Sequence, residues 1–145
     1  STPYSWSLTS GSLPTGLSLN TSTGLISGTP SGSAKTETFT VKMTDAKGAT
    51  ATKSFTITVT SKPVFTCGNS ADGHGGHSFS FQVTANGTPN PSFSESGKLP
   101  QGLSFNPNTG YLSGVPANGT SGTYDITFSA QNSAGTSNLS FTLRF

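Results

Sequence analysis

Charge is the scarcest commodity in this chain. Only 8% of its 145 residues are Asp, Glu, Lys or Arg, against roughly 25% in an ordinary soluble domain. Seven basic and five acidic residues leave a formal charge of +2, too weak and too scattered for a nucleic-acid footprint. Cysteine is limited to Cys67, so no intrachain disulfide framework exists. That thiol is read as a small buried hydrophobe, with an intermolecular bridge as the alternative. No apolar run approaches the roughly 18 residues of a membrane-spanning helix, and no charged-then-apolar leader begins at Ser1. Apolar residues at helical spacing are missing as well, and 18 Gly and 9 Pro spread through the chain would interrupt helices repeatedly.

What remains is Ser, Thr, Gly and Asn, with a modest apolar content placed at every second position. Phe39, Val41 and Met43 alternate with Thr40, Lys42 and Thr44, and Phe55, Ile57 and Val59 alternate with threonines. That period of two belongs to half-buried antiparallel strands. Asp45-Ala46-Lys47-Gly48 between them reads as a hairpin turn, the Asp bonding its own backbone and Gly48 supplying positive φ. Further on, Tyr124, Ile126, Phe128 and Ala130, a turn at Asn132-Ser133-Ala134-Gly135, and Leu139, Phe141, Leu143 and Phe145 repeat the arrangement.

A duplication underlies it. LPTGLSLNTSTGLISGTP from Leu13 to Pro30 returns as LPQGLSFNPNTGYLSGVP from Leu99 to Pro116, with 11 of 18 positions identical. Glycines and prolines hold their register across the copies, so backbone geometry rather than chemistry is what is repeated. Within each copy a corner, Asn20 to Gly24 or Asn106 to Gly110, joins two short strands, and Gly28 and Gly114 close the second of them. The expected fold is all-β, two tandem immunoglobulin-like Greek-key sandwiches, at residues 1–61 and 62–145. Twelve residues precede Leu13 but 37 lie between Lys62 and Lys98, so the first repeat is expected to lack its first two strands, leaving sheet edges and part of its core open. Expected core residues are Trp6, Leu17, Phe39, Val41, Phe55 and Ile57, then Phe79, Phe81, Leu103, Tyr124, Ile126, Phe128, Phe141 and Leu143; Thr60 to Pro63 is the expected connector.

The pattern Leu-Pro-x-Gly-Leu-Ser-(Leu/Phe)-Asn-x-x-Thr-Gly-x-(Leu/Ile)-Ser-Gly-x-Pro, followed by Thr-Asp-Ala-x-Gly or Asn-Ser-Ala-Gly-Thr, resembles the bacterial immunoglobulin-like repeats related to dystroglycan-type cadherin domains. Tyr4 to Leu8 and Asn90 to Ser94 resemble that family's third strand. The resemblance implies a non-catalytic structural or adhesive module of an extracellular or cell-surface protein, serving as stalk or spacer. Its partners would be other repeats, neighbouring subunits, or a surface glycan or protein. Two alternatives stand beside it. The incomplete first repeat would suit a filament subunit assembled by strand donation, and Tyr4, Trp6, Phe93 and Tyr111 would suit a carbohydrate-binding platform.

Candidate chemistry is thin. Asp72, His74 and His77, with Cys67 nearby, carry the donor types of a zinc or copper site, but on a glycine-rich segment that must lose entropy to gather them. Calcium is not expected, because five scattered acids cannot supply six to eight converging oxygens. No cofactor is expected. No nucleophile elbow or carboxylate pair is present, and neither Glu37 nor Glu95 has a lysine marked out for a cross-link. Gly24, Gly28, Gly48, Gly110, Gly114 and Gly135 are assigned to structural turns. Four Asn-x-Ser/Thr sequons, at Asn20, Asn86, Asn118 and Asn138, are ascribed to the abundance of these residue types.

Overall fold

Alternation of Thr with apolar residues produces the longest strands, and glycine corners determine where the chain turns back. The computed structural model describes all residues, Ser1–Phe145, and contains fourteen strands. They are β1 (Ser5–Gly11), β2 (Leu17–Leu19), β3 (Ile26–Gly28), β4 (Thr36–Thr44), β5 (Thr50–Thr58), β6 (Ser61–Phe65), β7 (Ser70–Asp72), β8 (Phe79–Gln82), β9 (Ala85–Thr88), β10 (Ser92–Gly97), β11 (Leu103–Asn106), β12 (Tyr111–Gly114), β13 (Thr123–Asn132) and β14 (Gly135–Arg144). The chain divides into two compact units, Ser1–Val59 and Thr60–Phe145.

The first unit has two small sheets, β1-β4-β5 and β2-β3. In the antiparallel β4–β5 pair, Phe39 lies opposite Phe55, and Thr36, Thr38 and Thr40 lie opposite Thr58, Thr56 and Ser54. Because successive side chains point to opposite faces, one face of this ribbon is apolar and the other is a ladder of alcohols. Its hydroxyl rungs measure 3.1 Å for Thr36–Thr58, 3.1 Å for Thr38–Thr56 and 2.9 Å for Thr40–Ser54. Only Phe39 and Val41 among the large apolar side chains of this unit are fully buried.

The second unit keeps the counterparts of all five strands, β10 to β14, and adds β6 to β9. Its layers are β10-β13-β14-β7 and β11-β12-β8, with β6-β9 as a further pair. Val83 and Leu112 from one layer meet Ile126, Phe128, Phe141 and Leu143 from the other in a continuous core. Each such side chain removed from water contributes about 1.5–3 kcal/mol. Phe81, Phe141 and Phe128 pack in succession, the first pair tilted and the second edge to face, with ring centroids 4.7 and 5.2 Å apart. The Tyr124 hydroxyl donates to the Thr120 carbonyl at 3.1 Å, in the manner of the tyrosine corner of immunoglobulin sandwiches.

Several expectations are corrected by this arrangement. Phe55 is 42% exposed rather than part of the core, because no strand covers it. Trp6, Leu17 and Ile57 are half-buried, whereas Phe79, Phe81, Leu103 and Tyr124, also half-buried, do pack against the core of the second unit. Val83, Leu112 and Ala130, absent from the expected core, are fully buried. Ser61 to Pro63, expected to connect the repeats, open β6 instead; Asn132 Nδ2 donates to the Ser61 carbonyl at 2.8 Å and the Ser137 hydroxyl to the Pro63 carbonyl at 2.6 Å. The glycine- and histidine-rich segment, expected to be loop, contains β7, which runs parallel to the end of β14 with Leu143 opposite Ala71. No helix is long and apolar enough to cross a membrane.

Candidate functional site

The two copies of the corner show how the scaffold is made. Asn20 Oδ1 accepts from the amides of Ser22 and Thr23 at 2.9 and 3.0 Å, and Asn106 Oδ1 accepts from those of Asn108 and Thr109 at 3.0 and 3.3 Å. Each Asn side chain thus replaces a turn of backbone and holds the chain ready to reverse. The reversal ends at Gly24 or Gly110, with φ of 75° and 74°, a region nearly closed to residues bearing a Cβ. Gly28, Gly48, Gly114 and Gly135 also have positive φ.

What differs is what lies over the corner. A Cβ on Gly110 would sit 2.7 Å from the Val83 carbonyl oxygen, because the end of β8 runs past it; the Val83 amide donates to the Gly110 carbonyl at 2.8 Å. A Cβ on Gly24 would instead sit 2.6 Å from the Trp6 indole. In the second unit Phe93, which holds the register position of Trp6, also lies against the corner, 3.6 Å from that Cβ, so what the first unit lacks over its glycine is the passing backbone. Trp6 is then one wall of an open apolar groove of about 340 Å³, whose lining includes Ile26, Phe39, Val41, Phe55 and Ile57. This groove is the candidate functional site. Phe55 stacks on Phe39 with ring centroids 6.0 Å apart and carries Lys53 Nζ 5.5 Å from its centroid.

The candidate chemical residues are not drawn together. His74 and His77 meet edge-on at 6.3 Å between ring centroids, and the His77 Nδ1 lies 3.2 Å from the Gly75 carbonyl oxygen. Asp72 turns to Arg144 at 3.6 Å. No group of three or more His, Cys, Asp or Glu side chains gathers in a metal-binding arrangement anywhere in the chain. Cys67 is a free thiol, half-buried against the core of the second unit. Asp45 holds its hairpin, Oδ1 accepting from the Lys47 and Ala49 amides at 2.9 Å each. The Ser1 ammonium, 2.9 Å from Oδ2, and then the Ala49 amide keep this carboxyl below its ordinary value.

Glu37 pairs with Lys35. Glu95 points to the same side of β10 as Phe93, beside a hollow of about 280 Å³ lined by Ser94, Glu95, Phe105 and Pro107. Its Oε1 is buried without a hydrogen-bond partner, and burial raises its pKa. Of the aromatic platform, Trp6 is occupied with the Gly24 corner and Phe93 packs on the second core, while Tyr4 and Tyr111 are exposed. The groove was not singled out as such in the sequence; its signal was the alternation of Phe55 and Ile57.

Comparison with known proteins agrees with the architecture. The chain belongs to the family described as "Putative Ig domain", which matches it twice, over residues 1–60 and 66–145. No curated protein matches the chain. Among solved structures, a Bacteroides fragilis protein titled a "putative alpha-galactosidase" is 28% identical, with a TM-score of 0.52 over 57% of this chain and 17% of its own. Immunoglobulin domains 1–4 of Sidekick-1 align at 17% identity and a TM-score of 0.65, covering 97% of this chain and 39% of theirs. The Protocadherin GammaB4 extracellular domain aligns at 13% identity and 0.56, covering 98% and 28%. The fold is an all-β immunoglobulin-like sandwich, and the chain spans well under two thirds of the length of each of these proteins.

Proposed function

We propose that these repeats are a non-catalytic spacer that transmits tension within an extracellular or cell-surface protein, of the bacterial dystroglycan-cadherin-like kind. The supporting observation is the parallel pairing of β7 with β14, near the two ends of the second unit. The Thr142 amide donates to the Asn69 carbonyl at 3.0 Å and the Gly73 amide to the Arg144 carbonyl at 2.9 Å. Tension applied through the ends of the unit drives parallel strands past one another, so these bonds are strained together rather than opened singly. Phe141 and Leu143 behind the ladder are fully buried, which keeps competing water away.

Pulling the chain by its ends tests the reading. Two unfolding steps are expected, lengthening the chain by about 200 Å and about 300 Å for the 59- and 86-residue units at about 3.4 Å per residue. The longer step should require the larger force. Equal forces, or a longer step that yields first, would remove the tension-bearing role. A sugar-binding role has less behind it, since two of its four aromatic candidates are engaged in packing; binding on a glycan array that is lost with Tyr4→Ala or Tyr111→Ala would restore it.

A further inference from the structure

The same four residues, Ala-Asn-Gly-Thr, occur twice in the second unit, at Ala85–Thr88 and at residues 117–120. Their local chemistry is identical, so any difference between them comes from the fold. The first copy is β9 itself, antiparallel to β6 with Asn86 opposite Val64 and Ala85 opposite Phe65. The Thr88 amide donates to the Ser61 hydroxyl at 3.1 Å, and a Cβ on Gly87 would lie 3.2 Å from Pro63 Cα and 3.0 Å from Asn132 Nδ2. That stretch is clamped.

The second copy is a turn. Thr120 closes it on the Ala117 carbonyl, its amide donating at 3.2 Å and its hydroxyl at 2.7 Å. Gly119 stands at φ 87°, the left-handed conformation that a glycine in third place of a four-residue turn supplies, and nothing lies within 4 Å of where its Cβ would be. Asn118 and Gly119 are both exposed. Asn118 Oδ1 rests over Gly76, 2.5 Å from where a Cβ there would be placed, whereas Asn20 and Asn106 have their side-chain oxygens fixed by two amides each.

We propose that Asn118 is a self-modifying site whose only co-reactant is water. The Gly119 amide nitrogen attacks Asn118 Cγ and closes an imide ring; the Cγ–Nδ2 bond breaks, and Nδ2 departs as ammonia with the proton that the Gly119 amide gives up. Water then opens the ring. Addition at Cγ leaves an aspartate, and addition at the main-chain carbonyl carbon leaves an isoaspartate whose backbone runs through Cβ and Cγ. Nothing is oxidised or reduced, and either product lowers the formal charge of +2 by one. Glycine at 119 leaves the approach to Cγ uncrowded, and near-attack geometry governs such ring closures. Asn118 must rotate about its own backbone to bring Cγ to that nitrogen, which an open turn allows and a paired strand forbids until it opens. Asn90 and Asn106 precede prolines, which have no amide proton to surrender. An isoaspartate at 118 lengthens the turn by one carbon and loosens the neighbouring bond from the Gly76 amide to the Pro116 carbonyl, now 2.7 Å.

Full-length protein kept in mildly alkaline buffer made with heavy-oxygen water tests this, because each conversion leaves a heavy oxygen in the residue concerned and fragmentation mass spectrometry locates it. In the folded chain, label is expected at residue 118 about tenfold or more faster than at residue 86. In urea the two rates should converge, since the tetrapeptides are the same. Gly119→Ala should slow conversion at 118 by about tenfold and leave residue 86 unchanged. Equal labelling of the two asparagines in the folded protein, faster labelling at 86, or no label at 118 while the unfolded chain takes it up there, would overturn the proposal. None of these readouts depends on unfolding force, so they stand or fall apart from the spacer reading.

Discussion

Phe55 and Phe141 occupy the same place in two copies of one design, yet the first is 42% exposed and the second 1%. Each lies on the last strand of its unit, and each faces an apolar residue of the preceding strand, Phe39 or Ile126. The difference arises at a distance, from Phe81 on a strand that only the second unit holds. Ile26 and Leu112 make the same point, half-buried in one copy and fully buried in the other. Burial of a β-strand is conferred by the opposite layer, and a residue can be suited to a core without having one.

Breaking each copy in the same way should expose the disparity. Phe141→Ala is expected to cost about 3–5 kcal/mol, the range for a large aromatic removed from a packed core. Phe55→Ala should cost about 1 kcal/mol or less, because much of its ring is already in water. Chemical denaturation, followed by Trp6 for the first unit and by Tyr124 for the second, separates the two; equal costs would mean that the groove is closed in solution. Next come the corners. Gly110→Val places a Cβ against backbone and should cost about 2–3 kcal/mol, combining strain with a rigid clash. Gly24→Val carries the same backbone strain but has a side chain, Trp6, as its nearest neighbour and should cost about 1–2 kcal/mol; the opposite order would contradict the placement of β8.

The Asn caps serve to sharpen the comparison, since they are alike in both units. Asn20→Ala and Asn106→Ala should each remove about 1 kcal/mol, and a large inequality would show that the corners are less equivalent than their hydrogen bonds. The smallest effect concerns acidity. Glu95 stands where Leu8 stands in the first unit, each two residues along from the third-strand aromatic, Phe93 or Trp6, and on the same face. Its folded pKa is raised by burial, so the folded state binds the proton more tightly than the unfolded one. Stability of the second unit should therefore increase as pH falls through that raised value, and be lower above it. Glu95→Gln should abolish this increment and leave the first unit unchanged; a profile identical to the parent protein would sink the assignment.

Much of the fold was legible because it is local. The alternation in β4, β5, β13 and β14 and the Asn-to-Gly corners each announce themselves within a dozen residues. Ser70–Asp72 could not be read as a strand, since three small or polar residues carry no period and their partners are 72 residues downstream. Leu112 was harder still: β12 is four residues long, and its burial depends on β8. Phe55 misled for the converse reason, an inward pattern with nothing inward to meet. The metal reading of His74, His77 and Asp72 rested on residue type and proximity in sequence, while their spatial arrangement depends on β7 pairing with β14, which turns Asp72 toward Arg144.

The alcohol rungs on the outer face of β4 and β5 bear on where such a protein can live. A coat of hydroxyl groups neither titrates in the ordinary range nor relies on ion pairs that salt would screen. Brine, rainwater and mild acid should meet almost the same exterior. On the extracellular reading proposed above, that indifference would serve better than a larger charge.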